Sequence, residues 1–359
     1  MSDEVRLASR AARTWPIEVR LARPEDKNAI LPFATTTWGG WDYIPDVWDD
    51  WLVARDGLVL VATVGRPPDG DSARDAEGAG LEVGQPIAMT RVTMLSPDEA
   101  WLEGIRVDPR VRGLGVATDL QVAELHWIRA HGARMVRYIT HESNLGSQRL
   151  GARHGLLEVG RWRAHGRHAG HGDDGSPEAA LELETTLGRL GRGRPDAWER
   201  IAEEPMLAAG GGLYEYRPWA FQELTEARFR AHAERGEVTT ITKGDAWAAI
   251  IVNRPQLVSH RTLHVAFACG DGEALLDLLL WLGRPPLRLP DPRPPILVGH
   301  EQQYADEGYP PSLDASVVVA RPIDHEHQVP EPDPERLRFG DRPRAIAEPP
   351  SLDPLPGAA

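Results

Sequence analysis

Little in this chain serves to cross-link it or to carry it through a membrane. Cys269 is the one cysteine in 359 residues, so no intrachain disulfide can form. No apolar run is long enough to span a bilayer. The N-terminal stretch MSDEVRLASRAARTWP has no apolar signal core, and Asp3 and Glu4 speak against a transit peptide. Positive charge is also short. The 40 basic and 54 acidic side chains leave a formal charge of −14. Nonspecific nucleic-acid binding needs a basic surface, so that class is excluded. Lysine is nearly missing, with only Lys27 and Lys243, which a GC-rich coding sequence explains more simply than a function does. The expectation is a cytoplasmic protein with no membrane or nucleic-acid partner, acting as a monomer or homodimer.

Apolar residues make up 41% of the chain, enough for real cores, and the length suggests two domains at about 150 residues each. Residues 17–23 alternate like a strand, and Pro24-Glu25-Asp26 opens a helical run. Residues 45–54 place Val47, Trp48, Trp51 and Leu52 at helical spacing. Strands are predicted at 58–64, 86–95 and 100–108, with a Gly, Pro and Asp-rich hairpin insertion at 65–84. A helix follows from about Gly115 to His131, then a strand at 133–140, a short helix at 143–155 and a hairpin of 157–165 with 178–186. Residues 187–195 read as a linker. Beyond it, helices near 196–208 and 224–235, strands at 237–243, 245–253 and 261–269, a helix at 272–282 and strands at 296–300 and 315–321 repeat the first order. An internal duplication is suspected. The Pro-rich tail from about Asp324 is expected to be poorly ordered. The expected layout is an N-terminal extension (1–16), a first domain (17–190), a second domain (196–323) and the tail (324–359).

The stretch IRVDPRVRGLGVATDL, residues 105–120, concentrates the chemistry. A strand breaks at Asp108-Pro109, passes two glycines and starts a helix. A helix N-terminus offers unpaired N–H groups and partial positive charge. Gly113 and Gly115 let the backbone approach a bulky anion, and Arg112 adds a fixed charge, so a diphosphate fits such a cradle. The competing reading is an ordinary strand-to-helix turn with glycines for steric reasons. If the preceding strand splays from its neighbour, its free backbone groups can pair with an extended, amide-bearing ligand.

Glu103-Gly-Ile-Arg-Val-Asp-Pro-x-x-Arg112-Gly-Leu-Gly115-Val-Ala117 resembles motif A of the GNAT acetyltransferases, R/Q-x-x-G-x-G/A, at Arg112, Gly115 and Ala117. Asn144 to Leu156 is similar to the family's N-x-x-A-x-x-L-Y-x-x-x-G-F stretch. The resemblance covers residues 17–186. It implies an α+β GNAT fold, a mixed sheet flanked by helices, and an N-acetyltransferase that uses acetyl-CoA. The pyrophosphate is expected on the amides of Arg112, Gly113, Leu114, Gly115, Val116 and Ala117. The pantetheine is expected along Ile105, Arg106 and Val107, and Asn144 joins the donor-binding set. A narrower resemblance, to histidine N-acetyltransferase-like GNAT proteins, rests on Gly39-Gly40-Trp41-Asp42-Tyr43-Ile44-Pro45, Trp51-Leu52 and Leu102-Glu103-Gly104. It suggests a free amino acid as acceptor and a C-terminal region after the GNAT domain.

Acetyl transfer needs a neutral attacking amine, a donor for the oxyanion and a fate for the leaving thiolate. Glu103 is the expected general base, acting through water, against a salt-bridged strand carboxylate as the bland alternative. A backbone N–H near Ile105 is the expected oxyanion donor. Gly151 stands where the family's stretch has tyrosine, so the acid is open among Tyr138, His141, His154 and Tyr43, or absent. Trp38, Trp41 and Tyr43 can stack on a flat or cationic acceptor, and Asp42 or Asp46 can hold its ammonium. Arg106 reads equally as a carboxylate ligand or a surface arginine. His165, His168 and His171 favour a solvated loop over a metal site, and no metal is expected. At 269–282 a second glycine turn lacks an arginine, and Asp271 and Glu273 repel a pyrophosphate. That region reads as a degenerate GNAT-like domain, with Cys269 in its core. The remaining alternatives are a protein or peptide amine as acceptor, or a non-catalytic acetyl-CoA-binding regulatory module.

Overall fold

The structure is a computed structural model. It describes residues 14–35, 37, 42–67, 69–163, 167–168, 189–192, 194–253, 262–282, 296–297, 315–322 and 337–339. Contacts divide the chain into two compact units, cut between Arg137 and Tyr138 and again between Ala320 and Arg321. The first cut falls inside a strand, well before the boundary that composition suggests near residue 190.

The first unit is built on a mixed sheet. Its strands are β1 (Ile17–Leu21), β2 (Gly57–Val64), β3 (Pro86–Ser96), β4 (Glu99–Val107) and the start of β5 (Met135–His141). The order is β1-β2-β3-β4-β5, antiparallel except for the parallel β4–β5 step. β2 is apolar along its length and buried on both faces, the signature of a central strand with helices above and below. On one face lie α1 (Lys27–Ala34) and α2 (Ile44–Val53), whose Ile30, Phe33, Ile44, Trp48 and Trp51 form a core with Val59, Val61 and Met89. On the other lies α4 (Val116–Ala130), which buries Leu120, Ala123, Trp127 and Ile128. Between β2 and β3 comes α3 (Gly70–Gly78).

One expectation is corrected here. Residues 65–84 are not a hairpin insertion: Asp69 accepts from the Ser72 amide at 2.8 Å, and this N-cap starts α3 despite the poor helix propensity of the run. The tail supplies the strand Leu337–Phe339, parallel to β1.

The second unit holds α5 (Leu145–Arg153), β6 (Leu157–Arg163) and the later elements. Strands Val238–Lys243, Ala246–Asn253 and Thr262–Gly270 form an antiparallel meander. The stretch expected to be a linker contains strand Arg189–Arg192, which pairs antiparallel with Val238–Lys243. Sequence reading also missed the hairpin Leu213–Arg217 with Ala220–Glu223. Residues 178–186, the second half of the expected hairpin, lie outside the described residues.

Candidate active site

The site begins with an irregularity in β4. Met89 faces Arg106 and Arg91 faces Glu103, so Thr90 on β3 meets an extra residue on β4, a β-bulge at Gly104-Ile105. Gly104 has φ 72°, and a Cβ there would lie 2.8 Å from the Trp51 ring. Glycine is thus required twice, for the backbone sign and for the close approach of α2. The β4–β5 ladder runs only from Glu99↔Met135 to Trp101↔Arg137. Beyond Trp101, β4 keeps β3 as its one ladder partner among the described residues. Ile105, Arg106 and Val107 therefore lie beyond the last residue of β4 that pairs with β5.

The chain then turns through a short 3₁₀ segment, Pro109–Val111, capped by Asp108, which accepts from the Arg110 amide at 2.9 Å. Burial opposes charge on Asp108, but its hydrogen bonds with Arg110 outweigh that and hold the carboxyl below its ordinary range. Gly113 and Gly115 both take positive φ, 81° and 89°. Gly115 is the N-cap of α4, and no side chain caps that helix. The first-turn amides, those of Val116 and Ala117 among them, have no intrahelical acceptor. Arg112 is exposed, its Nε 3.3 Å from the Val107 carbonyl at the end of β4. Strand end, glycine turn, exposed arginine and a helix without a side-chain cap thus follow one another.

Beside the bulge lies a polar cluster on the α2 side of the sheet. The Asp42 carboxylate is buried and accepts from Arg106 twice, Nε at 2.6 Å and Nη2 at 2.9 Å. It also accepts from the Ile44 amide at 3.1 Å and from the Thr37 hydroxyl. The expectation that Asp42 holds a substrate ammonium is corrected, because its lone pairs are committed within the protein. Arg106 is neither a surface arginine nor a free carboxylate ligand; its side chain is tied to Asp42, while its backbone stays on β4. The Arg106 guanidinium also lies 5.3 Å from the Tyr43 ring centroid, and Tyr43 meets Trp51 edge-on at 5.8 Å. Burial pushes the Tyr43 hydroxyl up to about 12, with Arg106 working against the shift. Trp38 and Trp41 lie outside the described residues.

Glu103 accepts from the Thr93 hydroxyl at 2.6 Å and lies 3.4 Å from Arg91 Nε. Arg91 is buried in the sheet. It donates to Thr93 at 2.9 Å, to the Trp51 carbonyl at 3.1 Å and to Asp56 at 2.7 Å. Sequence reading passed over Arg91 and Thr93. The available signal was a lone arginine inside the apolar run PIAMTRVTML, since a buried charge requires partners.

In the second unit, the Asn144 side chain N-caps α5 by accepting from Ser147 N at 3.2 Å. A Cβ on Gly151 would strike the Tyr138 hydroxyl, with two ring carbons at 3.0 Å. That hydroxyl donates to the Ser147 carbonyl at 2.9 Å, and burial raises its pKa. The glycine at the tyrosine position of the family's stretch is therefore the room in which Tyr138 sits.

A family model described as "Acetyltransferase (GNAT) family" matches residues 46–156, from α2 through the cradle to the end of α5. Residues 46–156 thus carry a GNAT acetyltransferase domain. Probable N-acetyltransferase 16 of Homo sapiens is 25% identical over 293 residues, covering 75% of this chain and 73% of that protein. Among solved structures, a putative acetyltransferase from Thermoplasma acidophilum aligns with TM-score 0.40 and 15% identity, covering 87% of this chain and 93% of the other. A GCN5-related N-acetyltransferase from Kribbella flavida aligns with TM-score 0.39 and 14% identity, covering 87% and 72%.

Other features read from the sequence lie later in the chain. Gly270, at φ 114°, leads into the helix Gly272–Leu282, and Asp271 accepts from the Trp247 amide at 2.7 Å. Cys269 is buried in the core of that region, and burial pushes its thiol up to about 12. Of the expected histidine loop, His165 and His171 lie outside the described residues. Among the described residues no cluster of three or more His, Cys, Asp or Glu is placed to hold a metal, and no helix is long and apolar enough to cross a membrane.

Proposed function

We propose that the enzyme transfers acetyl from acetyl-CoA to the amine of a small molecule. The narrower sequence resemblance favours an amino acid such as histidine. The observation that carries the reading is the uncapped, glycine-lined N-terminus of α4, reached directly from the unladdered edge of β4. Arg112 and the amides of residues 112–117 take the pyrophosphate. The backbone of Ile105 to Val107 takes the pantetheine, and an N–H near Ile105 takes the oxyanion. Glu103, held by Thr93 and Arg91, accepts the amine proton through a water. The amine nitrogen then bonds to the thioester carbon, the carbon–sulfur bond breaks, and the released thiolate takes a proton from solvent to become free CoA. Tyr43 borders the acceptor pocket, and Arg106 with Asp42 fixes that wall.

Residues 17–190 carry this reaction in the proposed layout, and 196–323 form a degenerate GNAT-like domain that has lost donor binding. The acids at Asp271 and Glu273 beside its glycine turn support the loss. The test is thiol release from acetyl-CoA across free amino acids, polyamines, aminoglycosides and short peptides. Turnover with one class of small amine supports the reading. Turnover with peptides alone overturns the small-molecule acceptor, and failure to bind acetyl-CoA overturns the whole.

A further inference from the structure

Glu124 lies on α4, on the side of the sheet opposite Tyr43 and Trp51, and it is 1% exposed. Its Oε1 is 2.5 Å from Thr90 Oγ1. Thr90 is the β3 residue opposite the bulge, and its Oγ1 also lies 3.5 Å from the Glu103 carbonyl. A threonine hydroxyl has one hydrogen. Were Glu124 ionised, that hydrogen would go to the carboxylate and the Glu103 carbonyl would lose it. With Glu124 protonated, the carboxyl donates to Thr90, and Thr90 donates onward to Glu103. The second arrangement satisfies both contacts. It also spares the cost of burying an unpaired carboxylate. Burial does raise Glu124, to about 8.

We propose that Glu124 is a positioning residue: through Thr90 it fixes the Glu103 carbonyl at the β4 bulge, and with it the backbone that meets the thioester. This rests on the acetyltransferase reading for its kinetic consequence but not for its geometry. It joins the helix that begins the pyrophosphate cradle to the strand that holds the reacting carbonyl. Neither residue is among those proposed to contact acetyl-CoA or the amine.

The test uses E124L, which keeps similar volume without a donor, E124Q, which restores one, and T90V with T90S in the same logic. In E124L and T90V, kcat is expected to fall by about tenfold through misplacement of the reacting groups. The loss of acetyl-CoA affinity should be smaller than the loss of kcat, because the amides of residues 112–117 are untouched while the 105–107 backbone is loosened. E124Q and T90S should recover most of kcat. Hydrogen exchange of the 103–106 amides is followed in the same variants. It should quicken in E124L and T90V and return toward the native rate in the conservative pair. Native kcat with native exchange in a folded E124L overturns the proposal. If the wild type shows no turnover, the acetyltransferase reading fails on its own, and the exchange data still decide the link from Glu124 to the bulge.

Discussion

At the scale of single residues, the account turns on groups that cannot be replaced without leaving something unpaired. Asp42→Ala strands the Arg106 guanidinium in a largely buried site. Breaking a buried pair in this way costs about 3–5 kcal/mol, which urea denaturation measures. A loss below about 1 kcal/mol would show that the pair is open to solvent, as surface pairs are. Gly104→Ala must adopt φ 72° and press a methyl on Trp51. The two penalties together predict a loss of at least about 2 kcal/mol in the same assay, along with lost turnover. Glu124 sets a pH dependence whose sign is fixed. Its ordinary value is 4.5, and in the folded protein it is about 8, so the folded state holds the extra proton between them. The stability it contributes is complete at acid pH and is lost as pH rises toward about 8, with a slope of at most about 1.4 kcal/mol per pH unit. E124Q should flatten that slope, as denaturation midpoints taken along the pH range would show.

At the scale of elements, the passage from strand through glycine turn to helix was legible because everything that makes it is local. Asp108-Pro109, two glycines and an apolar helical period lie within sixteen residues of sequence, and the turn follows from their backbone preferences. The bulge was half legible. Glu103-Gly104 could be quoted as a motif, but the reason for the glycine is Trp51 on α2, which periodicity alone does not bring to β4. The Asp42–Arg106 pair joins residues 64 apart in sequence, so each was read as available to substrate when each serves the other. Helix α3 was hidden for a different reason. Its composition is that of a loop, and only the Asp69 cap, three residues before Ser72, marks its start. The cradle makes its own prediction. Arg112→Ala removes an exposed charge whose Nε lies near the Val107 carbonyl. It should weaken acetyl-CoA binding by about tenfold, the size of one charge-assisted phosphate contact, and leave thermal stability within about 0.5 kcal/mol.

At the scale of the whole molecule, the class of the enzyme was legible in the sequence. The strand and helix order of the first unit follows the reading closely, because its strands are apolar and its turns are rich in glycine. The compact units divide inside β5, a boundary that no shift in composition marks. The interval read as a linker contributes a strand to the sheet beyond it, since a short Arg and Gly-rich edge strand shows no alternation. The measurement that bears most directly on the account is a calorimetric titration of acetyl-CoA into the full chain and into R112A. The account predicts one site per chain in the wild type and about tenfold weaker binding in the variant. No binding to the wild type, or equal affinity in both, would contradict the claim that the glycine turn before α4 holds the donor.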